Sequence, residues 1–237
     1  MSNYKNADFY FGISDNKIYI CFIDNKKNKL SNNVSFDIPD SLNNNLNFKI
    51  ILSLLRENIR KLEKDLGFFV NSGNISIKSK SYQSILFSVK DVFDERELEK
   101  EVIIKLVRIA MQQLQKSEKN LTIIHVIINK YIIDDKVYNF FPNDKKFTRI
   151  ILEIEFICLN KILIEKVKKL FNECKIDVKK IVSYDYAKKF SNNIKDDTLC
   201  LSAYEILNGA NQSEVILTEN ISKKHSFFDK IFNFFDK

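Results

Sequence analysis

The chain has 237 residues, of which 45% are hydrophobic and 29% are charged, and its formal net charge is +7. This composition is enough to bury the core of one or two soluble domains. There is no run of 18 apolar residues, so no membrane-spanning helix is expected. The first residues lack the apolar stretch of a signal peptide, which predicts a cytosolic chain.

In the first half of the chain, apolar periodicity and turn residues predict a β-rich region around one long helix. The tetrapeptide Ser14–Lys17 is typical of a turn between two strands. Gly67 is a plausible end of the helix. The expected elements are strands at 7–13 and 18–24, a loop at 31–46 because it is Asn-rich and contains Pro39, a helix at 48–66, and strands at 74–78 and 84–90.

In the second half, Asp94 and Glu97 have capping-box spacing and predict the start of a second helix. Its apolar side is formed by Leu98, Val102, Leu106, Ile109 and Leu114. The remaining expected elements are strands at 121–133 and 147–158, a helix capped by Asn160, a strand at 178–183, and a helix at 198–208 closed by Gly209. This order predicts a mixed α/β or α+β fold.

Four glycines are too few and too scattered to form a phosphate cradle, which argues against nucleotide hydrolysis. Glu153 and Glu155 share one face of a strand, and a solvated or assembly surface is favoured over acid–base or metal chemistry. His125 stands in an apolar strand and is interpreted as a satisfied core residue. Four scattered cysteines indicate neither a disulfide framework nor a zinc site. We expect no enzyme activity, no cofactor and no metal.

The positive charge raises the question of nucleic-acid binding. Lysines occur in every segment and are mixed with acids, and no Arg-rich patch is evident. A compositional bias towards Lys, Asn and Ile explains the charge, so nucleic acid is the weaker alternative.

The last residues, 226–237, predict an amphipathic helix whose first turn has the capping-box pair Ser226 and Asp229. At about 100° per residue, the apolar side chains fill one arc of roughly 160°. That arc contains Phe227, Phe228, Ile231, Phe232, Phe234 and Phe235. The aromatic content favours a membrane interface, while docking on the chain's own core or in a partner's groove remains an alternative.

Basic residues beside this arc suit an anionic lipid surface. Lys223 and Lys224 precede the helix with His225, and Lys230 lies on its polar side. Half-burial of the apolar arc yields roughly 9 kcal/mol, and much of it is offset by ordering the helix. One tail is therefore expected to bind reversibly. Several tails on an assembly would bind firmly, so self-association is an expected companion.

Several segments resemble FtsA, the actin-like bacterial cell-division family. The hairpin Gly12-Ile13-Ser14-Asp15-Asn16-Lys17 is similar to the family's first phosphate loop, D-I-G-T-S-K, with Ile13 and Lys17 matching. The glycine of that loop is Ser14 here, and its acid is Gly12. Further similarity lies in 124–127 with 131–134 (H-V-I-P-Q-E-Y-x-I-D), 174–178 (C-G-L-x-V) and 199–209 (A-x-G-L-L-x-Y-G), and the tail stands where the family has a membrane-targeting helix.

The resemblance implies an actin-like (ribonuclease H-like) half domain at 1–78 with 177–209, and an inserted FtsA-type α/β assembly subdomain at 79–176. A linker at 210–225 and the membrane-targeting helix at 226–237 would follow. Between Ser191 and Asp197 the family has a second large domain, which is missing here. ATP binding through the eroded loop Ser14, Asp15, Asn16 and Lys17 is therefore not expected, and ordinary binding of FtsZ is in doubt.

The function implied is a non-catalytic adaptor on the cytoplasmic face of the inner membrane at the division site. Its expected partners are an anionic membrane surface, further copies of itself and division proteins, possibly including FtsZ. A pilus-assembly-type scaffold, whose family has a similar insert, and a degenerate nucleotide-binding protein are the alternatives.

Overall fold

The computed structural model describes residues 7–24, 29–39, 45–97, 100–142, 146–190 and 199–215. These residues form a mixed α/β fold, as the sequence predicts. The strands are β1 Ala7–Ile13, β2 Lys17–Asp24, β3 Lys29–Asp37, β4 Ser72–Ile77, β5 Gln83–Glu97, β6 Leu121–Ile133, β7 Lys136–Tyr138, β8 Lys146–Asn160 and β9 Asp177–Ser183. The α-helices are α1 Asn45–Leu66, α2 Lys100–Ser117, α3 Lys161–Glu173, α4 Tyr184–Ala187 and α5 Leu199–Leu207.

The strands form two sheets. The first has the order β3-β2-β1-β4-β9, and the second has the order β5-β8-β6-β7. In the first sheet, β1 pairs antiparallel with β2 and parallel with β4, and β4 pairs parallel with β9. Parallel pairing needs crossover connections, which are the segment holding α1 and the long segment from β5 to α3. None of the helices within the described ranges is long and apolar enough to cross a membrane.

The chain divides into two compact units. Unit 1 contains residues 1–85, 114–125 and 156–212, and unit 2 contains 86–113, 126–155 and 213–237. The core of unit 1 lies where α1 and α3 meet the first sheet. Helix α1 contributes Ile51, Leu55, Ile59 and Leu62 at helical spacing, and α3 contributes Ile164, Val167, Leu170 and Phe171.

Helix α3 packs against the first sheet. The sequence interpretation assigned residues 79–176 to the inserted subdomain, yet α3 belongs to unit 1. Phe171 is fully buried, and its ring centre lies 4.8 Å from that of Phe11 on the central strand β1. The actin-like and FtsA-type assignments of the two units remain predictions.

Two sequence predictions of local structure are wrong. Residues 31–37 of the expected loop belong to β3, which pairs antiparallel with β2. Val34 and Phe36 pack partly against the core while Ser35 and Asp37 are exposed, so a period-two pattern lies beneath the Asn-rich composition.

Asp94 and Glu97 do not cap a helix, because both lie within β5. The alternation of that strand continues past Val89, with Val92 exposed and Phe93 half-buried, and α2 begins only at Lys100. A capping-box spacing alone therefore did not outweigh strand alternation.

Candidate functional site

The turn that joins β1 and β2 is the segment whose sequence resembles the first phosphate loop of the FtsA family. Its backbone is hydrogen-bonded within the turn: the Ser14 N–H donates to the Lys17 carbonyl at 2.9 Å. The Ser14 hydroxyl donates to the same carbonyl at 3.0 Å and accepts from the Lys17 N–H at 3.2 Å. A phosphate cradle needs N–H groups directed at the ligand, and these two are occupied within the turn.

The side chains of the turn are also paired with protein groups. Lys17 Nζ lies 3.8 Å from Asp37 Oδ1 and 6.0 Å from the ring centre of Tyr19. Asp15 lines an open cleft of about 940 Å³ in unit 1 and lies 3.4 Å from Lys80 Nζ. The cleft is lined by one carboxylate, Asp15, and by three lysines, Lys78, Lys80 and Lys166. Lys17, the residue that resembles the lysine of the family's loop, lies beside Asp37 instead.

Gly12 has a packing role at the position where the FtsA family has an acid. A Cβ at this position would lie 2.7 Å from Cβ of Leu199, the first residue of α5. Any side chain would therefore push α5 away from the sheet. Close packing of α5 on β1 therefore requires a residue without a Cβ at this position.

His125 is a core residue, as the sequence interpretation held. It is 3% exposed, and its Nε2 accepts the Ser183 N–H at 3.0 Å. Its ring centre lies 4.4 Å from that of Tyr186. The imidazole therefore joins β6 to the end of β9 within unit 1.

The paired carboxylates in unit 2 form part of a salt-bridged sheet surface. Glu153 lies 3.1 Å from Lys130 Nζ, and both Glu153 and Glu155 are partly exposed. Within the described ranges, no cluster of three or more His, Cys, Asp or Glu side chains has the arrangement of a metal site.

Two of the four cysteines have a raised pKa in this fold. Burial, together with nearby Glu118, raises the pKa of Cys158 to about 12. Burial also raises the pKa of Cys174 above its ordinary value, although Arg56 opposes the shift. Because the thiolate is the reactive form, both thiols are disfavoured as nucleophiles at neutral pH.

A cationic surface on unit 1 was missed by the sequence interpretation. Two neighbouring clefts that share Arg56 are lined by α1, α3 and the turn after α3. Their linings contain three acidic side chains and eight basic ones, which leaves a charge of +5 against +7 for the whole chain. We call this surface the basic face; its cations are Lys49, Arg56, Arg60, Lys61, Lys64, Lys168, Lys169 and Lys175.

Two cations of the basic face are paired and hold its shape. Arg56 donates to the Glu173 carbonyl at 2.7 Å and to its carboxylate at 3.2 Å, which joins α1 to α3. Lys61 lies 2.7 Å from Glu57 one turn earlier. Arg60 and Lys64 are exposed on the same side of α1. The spacing of the α1 cations was readable from the sequence, but the contribution of α3 required the tertiary contact.

The expected membrane-binding residues lie outside the described residues. This applies to the whole predicted helix at 226–237 and to Lys223 and Lys224. The described part of the chain before them ends with residues 213–215, which pair with β6. The Ile128 N–H donates to the Ser213 carbonyl at 3.0 Å, and the Val215 N–H donates to the Val126 carbonyl at 2.8 Å. The linker expected at 210–225 is therefore attached to unit 2 at its start.

Comparisons with known proteins give likeness of fold only. No protein-family model matches the chain, and no curated protein does. A PilM–PilN type IV pilus biogenesis complex matches with a TM-score of 0.47 and 7% identity, over 76% of this chain and 48% of that one. The cytoplasmic domain of EpsL, an inner membrane component of the type II secretion system of Vibrio cholerae, matches with a TM-score of 0.36 and 9% identity, over 77% and 59%.

A Bacteroides thetaiotaomicron protein with an actin-like ATPase fold and unknown function matches with a TM-score of 0.32 and 13% identity, over 80% and 58%. The chain thus spans between 48% and 59% of the length of these three structures. None of the three is FtsA, and the resemblance to that family remains a prediction.

Proposed function

We propose that this chain is a non-catalytic adaptor that attaches to the anionic cytoplasmic face of a bacterial inner membrane and brings division proteins to it. The observation that carries the membrane part of the proposal is the basic face, because it concentrates a charge of +5 on one side of α1 and α3. Clustered Lys and Arg side chains attract anionic headgroups by about 1 kcal/mol each near the surface.

The C-terminal sequence supplies the apolar half of this attachment. Six apolar side chains on one arc of the predicted helix would enter the headgroup boundary, and the basic face would add long-range attraction. The two contributions differ in physical character, since the electrostatic one is screened by salt and the apolar one is not. Together they support reversible binding that strengthens when several copies assemble.

The adaptor part of the proposal is supported by two features of the segment that resembles the phosphate loop. The turn at 14–17 forms hydrogen bonds within itself, and Gly12 packs against α5 in the position of the family's acid. These features fit a fold that supports binding surfaces better than one that holds a nucleotide. The division site as its location, an actin-like half domain, and FtsZ as a partner belong to this proposal on the strength of the sequence resemblance.

A charge-reversal experiment tests the basic face. The intact chain would be pelleted with vesicles of phosphatidylcholine alone and with vesicles that also contain phosphatidylglycerol. Arg60→Glu/Lys64→Glu is expected to weaken binding to the anionic vesicles by about thirtyfold or more, since two cations are removed and two repelling carboxylates are introduced. The matched control is Lys136→Glu/Lys146→Glu, which makes the same change of charge at exposed positions of unit 2.

Equal weakening by both pairs would mean that only the net charge matters, and no weakening by either would remove the basic face from the proposal. Retention of RNA or DNA that depends on salt and on Arg60 and Lys64, without vesicle binding, would favour a nucleic-acid partner.

A further inference from the structure

Strand β5 lies at the edge of the four-stranded sheet, and its two faces differ sharply. On one face, Asp91 lies 3.1 Å from Lys105 of α2, and the ring centre of Phe93 lies 5.5 Å from that of Phe147. Side chains alternate in a strand, so the intervening residues form the other face. That outer face is exposed from Leu86 to Asp94: Leu86 is 73% and Val92 is 66% exposed, and Ser88, Lys90 and Asp94 are exposed as well.

The edge of β5 is long enough to accept another strand. It has 15 residues, and among the described residues only β8 is its neighbour in the sheet. Native sheets usually shorten or interrupt such edges, because unpaired N–H and carbonyl groups attract other strands. The Val92 N–H instead donates a hydrogen bond to the carboxylate of Asp91 at 3.0 Å. The carbonyl of an incoming strand can replace this local bond.

The outer face of β5 is complementary to itself. If a second copy of the strand runs antiparallel around a two-fold axis at Val92, each Val92 lies opposite the other. Lys90 then lies opposite Asp94 of the second copy, and Asp94 lies opposite its Lys90. Shifting the axis by two residues in either direction places Lys90 opposite Lys90 or Asp94 opposite Asp94. Shifting the axis by one residue breaks both ion pairs, because Lys90 then lies opposite Val92 or Arg96. Opposite charges stabilise directly facing cross-strand pairs and like charges destabilise them, so the register around Val92 is favoured.

We propose that a second copy of this chain pairs antiparallel with the edge of β5, around a two-fold axis at Val92. The contact is isologous, since the same residues of both copies form it, and the assembly closes as a dimer. The proposal deepens the proposed function and rests on it for its role: two copies bring two C-terminal segments to one membrane surface, which strengthens attachment through effective concentration.

Charge reversal distinguishes this contact from other modes of self-association. The dimer dissociation constant of the intact chain would be measured by sedimentation velocity without vesicles. Lys90→Asp alone and Asp94→Lys alone each place like charges at two sites and are expected to raise the dissociation constant about tenfold or more. The double variant Lys90→Asp/Asp94→Lys restores both pairs and is expected to recover the original value. A double variant no better than the single ones, or single variants that dimerise normally, would overturn the proposal.

Site-directed cross-linking tests the position of the axis. With a short bismaleimide, Val92→Cys is expected to give a covalent dimer, since the two introduced thiols face each other. Leu86→Cys is the matched control, because it is equally exposed on the same face, yet its two copies would lie about 40 Å apart. The unsubstituted chain reports any background from the native cysteines. Equal cross-linking from both positions, or from neither, would refute the axis at Val92.

The dimer through β5 and the membrane role can be refuted independently of each other. Loss of cross-linking and of the charge-reversal pattern, with vesicle pelleting retained, would remove this dimer and leave the membrane role. Cross-linking at Val92 without vesicle pelleting would retain the dimer and remove the membrane role.

Discussion

Gly73→Ala gives the sharpest test of how unit 1 is packed. A Cβ at this position would lie 2.5 Å from Cε2 and 2.9 Å from Cδ2 of Phe11, and 3.1 Å from the carbonyl oxygen of Phe9. Ordinary contact begins near 3.4 Å, so the ring of Phe11 would have to move by about 0.9 Å. That ring is fully buried and lies against Phe171, which is also fully buried. Overpacking of this kind costs about 1–3 kcal/mol.

The free energy of unfolding would be measured by urea denaturation with far-UV circular dichroism, since the chain contains no tryptophan. We expect Gly73→Ala to lower it by about 1–3 kcal/mol and Asn71→Ala, at an exposed neighbouring position, to change it by less than about 0.5 kcal/mol. Phe171→Leu makes room for Phe11, so the double variant should be more stable than the sum of the two losses predicts. A neutral Gly73→Ala, or strict additivity with Phe171→Leu, would refute the packing of β4, β1 and α3 described above.

Three further predictions concern polar contacts. Asn160→Ala should cost about 1 kcal/mol, and Asn160→Asp much less, in the same urea assay, because the Asn160 side chain accepts the Leu163 N–H at 3.2 Å as the cap of α3. His125→Phe should cost about 1–3 kcal/mol by leaving a buried N–H without its acceptor, and a neutral result would contradict the hydrogen bond. The Thr148 hydroxyl bond holds the pKa of Asp134 below its ordinary value of 3.8, so the stability from this carboxylate is present above that pH and is lost as the pH falls through the folded pKa. In an NMR titration, Thr148→Val should raise the Asp134 pKa, and an unchanged value would count against the bond.

The sequence predicted most elements of the fold because their signals are local. The apolar spacing of α1, the β-branched run of β6 and the cap at Asn160 each depend on residues within one element. Strand β3 was missed because its apolar residues are few, and its hydrogen-bond partner is in another strand. Local propensity could not reveal that pairing.

The tertiary features were harder to predict from the sequence. The sequence resemblance placed α3 in the insert, whereas its buried residues pack against the sheet of unit 1. The basic face likewise joins residues of α1 and α3 that are about a hundred positions apart. The packing role of Gly12 depends on Leu199, which is distant in sequence. Long-range contacts of this kind leave no periodic signal in the chain.

Membrane attachment through the C-terminal aromatic residues is the central claim, and vesicle co-sedimentation tests it most directly. The intact chain would be compared with Phe228→Asp/Phe232→Asp and with the control Asn233→Asp/Lys237→Gln, which changes the net charge equally on the polar side of the predicted helix. We predict that the control still pellets with phosphatidylglycerol-containing vesicles and that the Phe228→Asp/Phe232→Asp variant stays in the supernatant. Equal pelleting of all three proteins would contradict the claim and would assign these aromatic residues to a contact with protein.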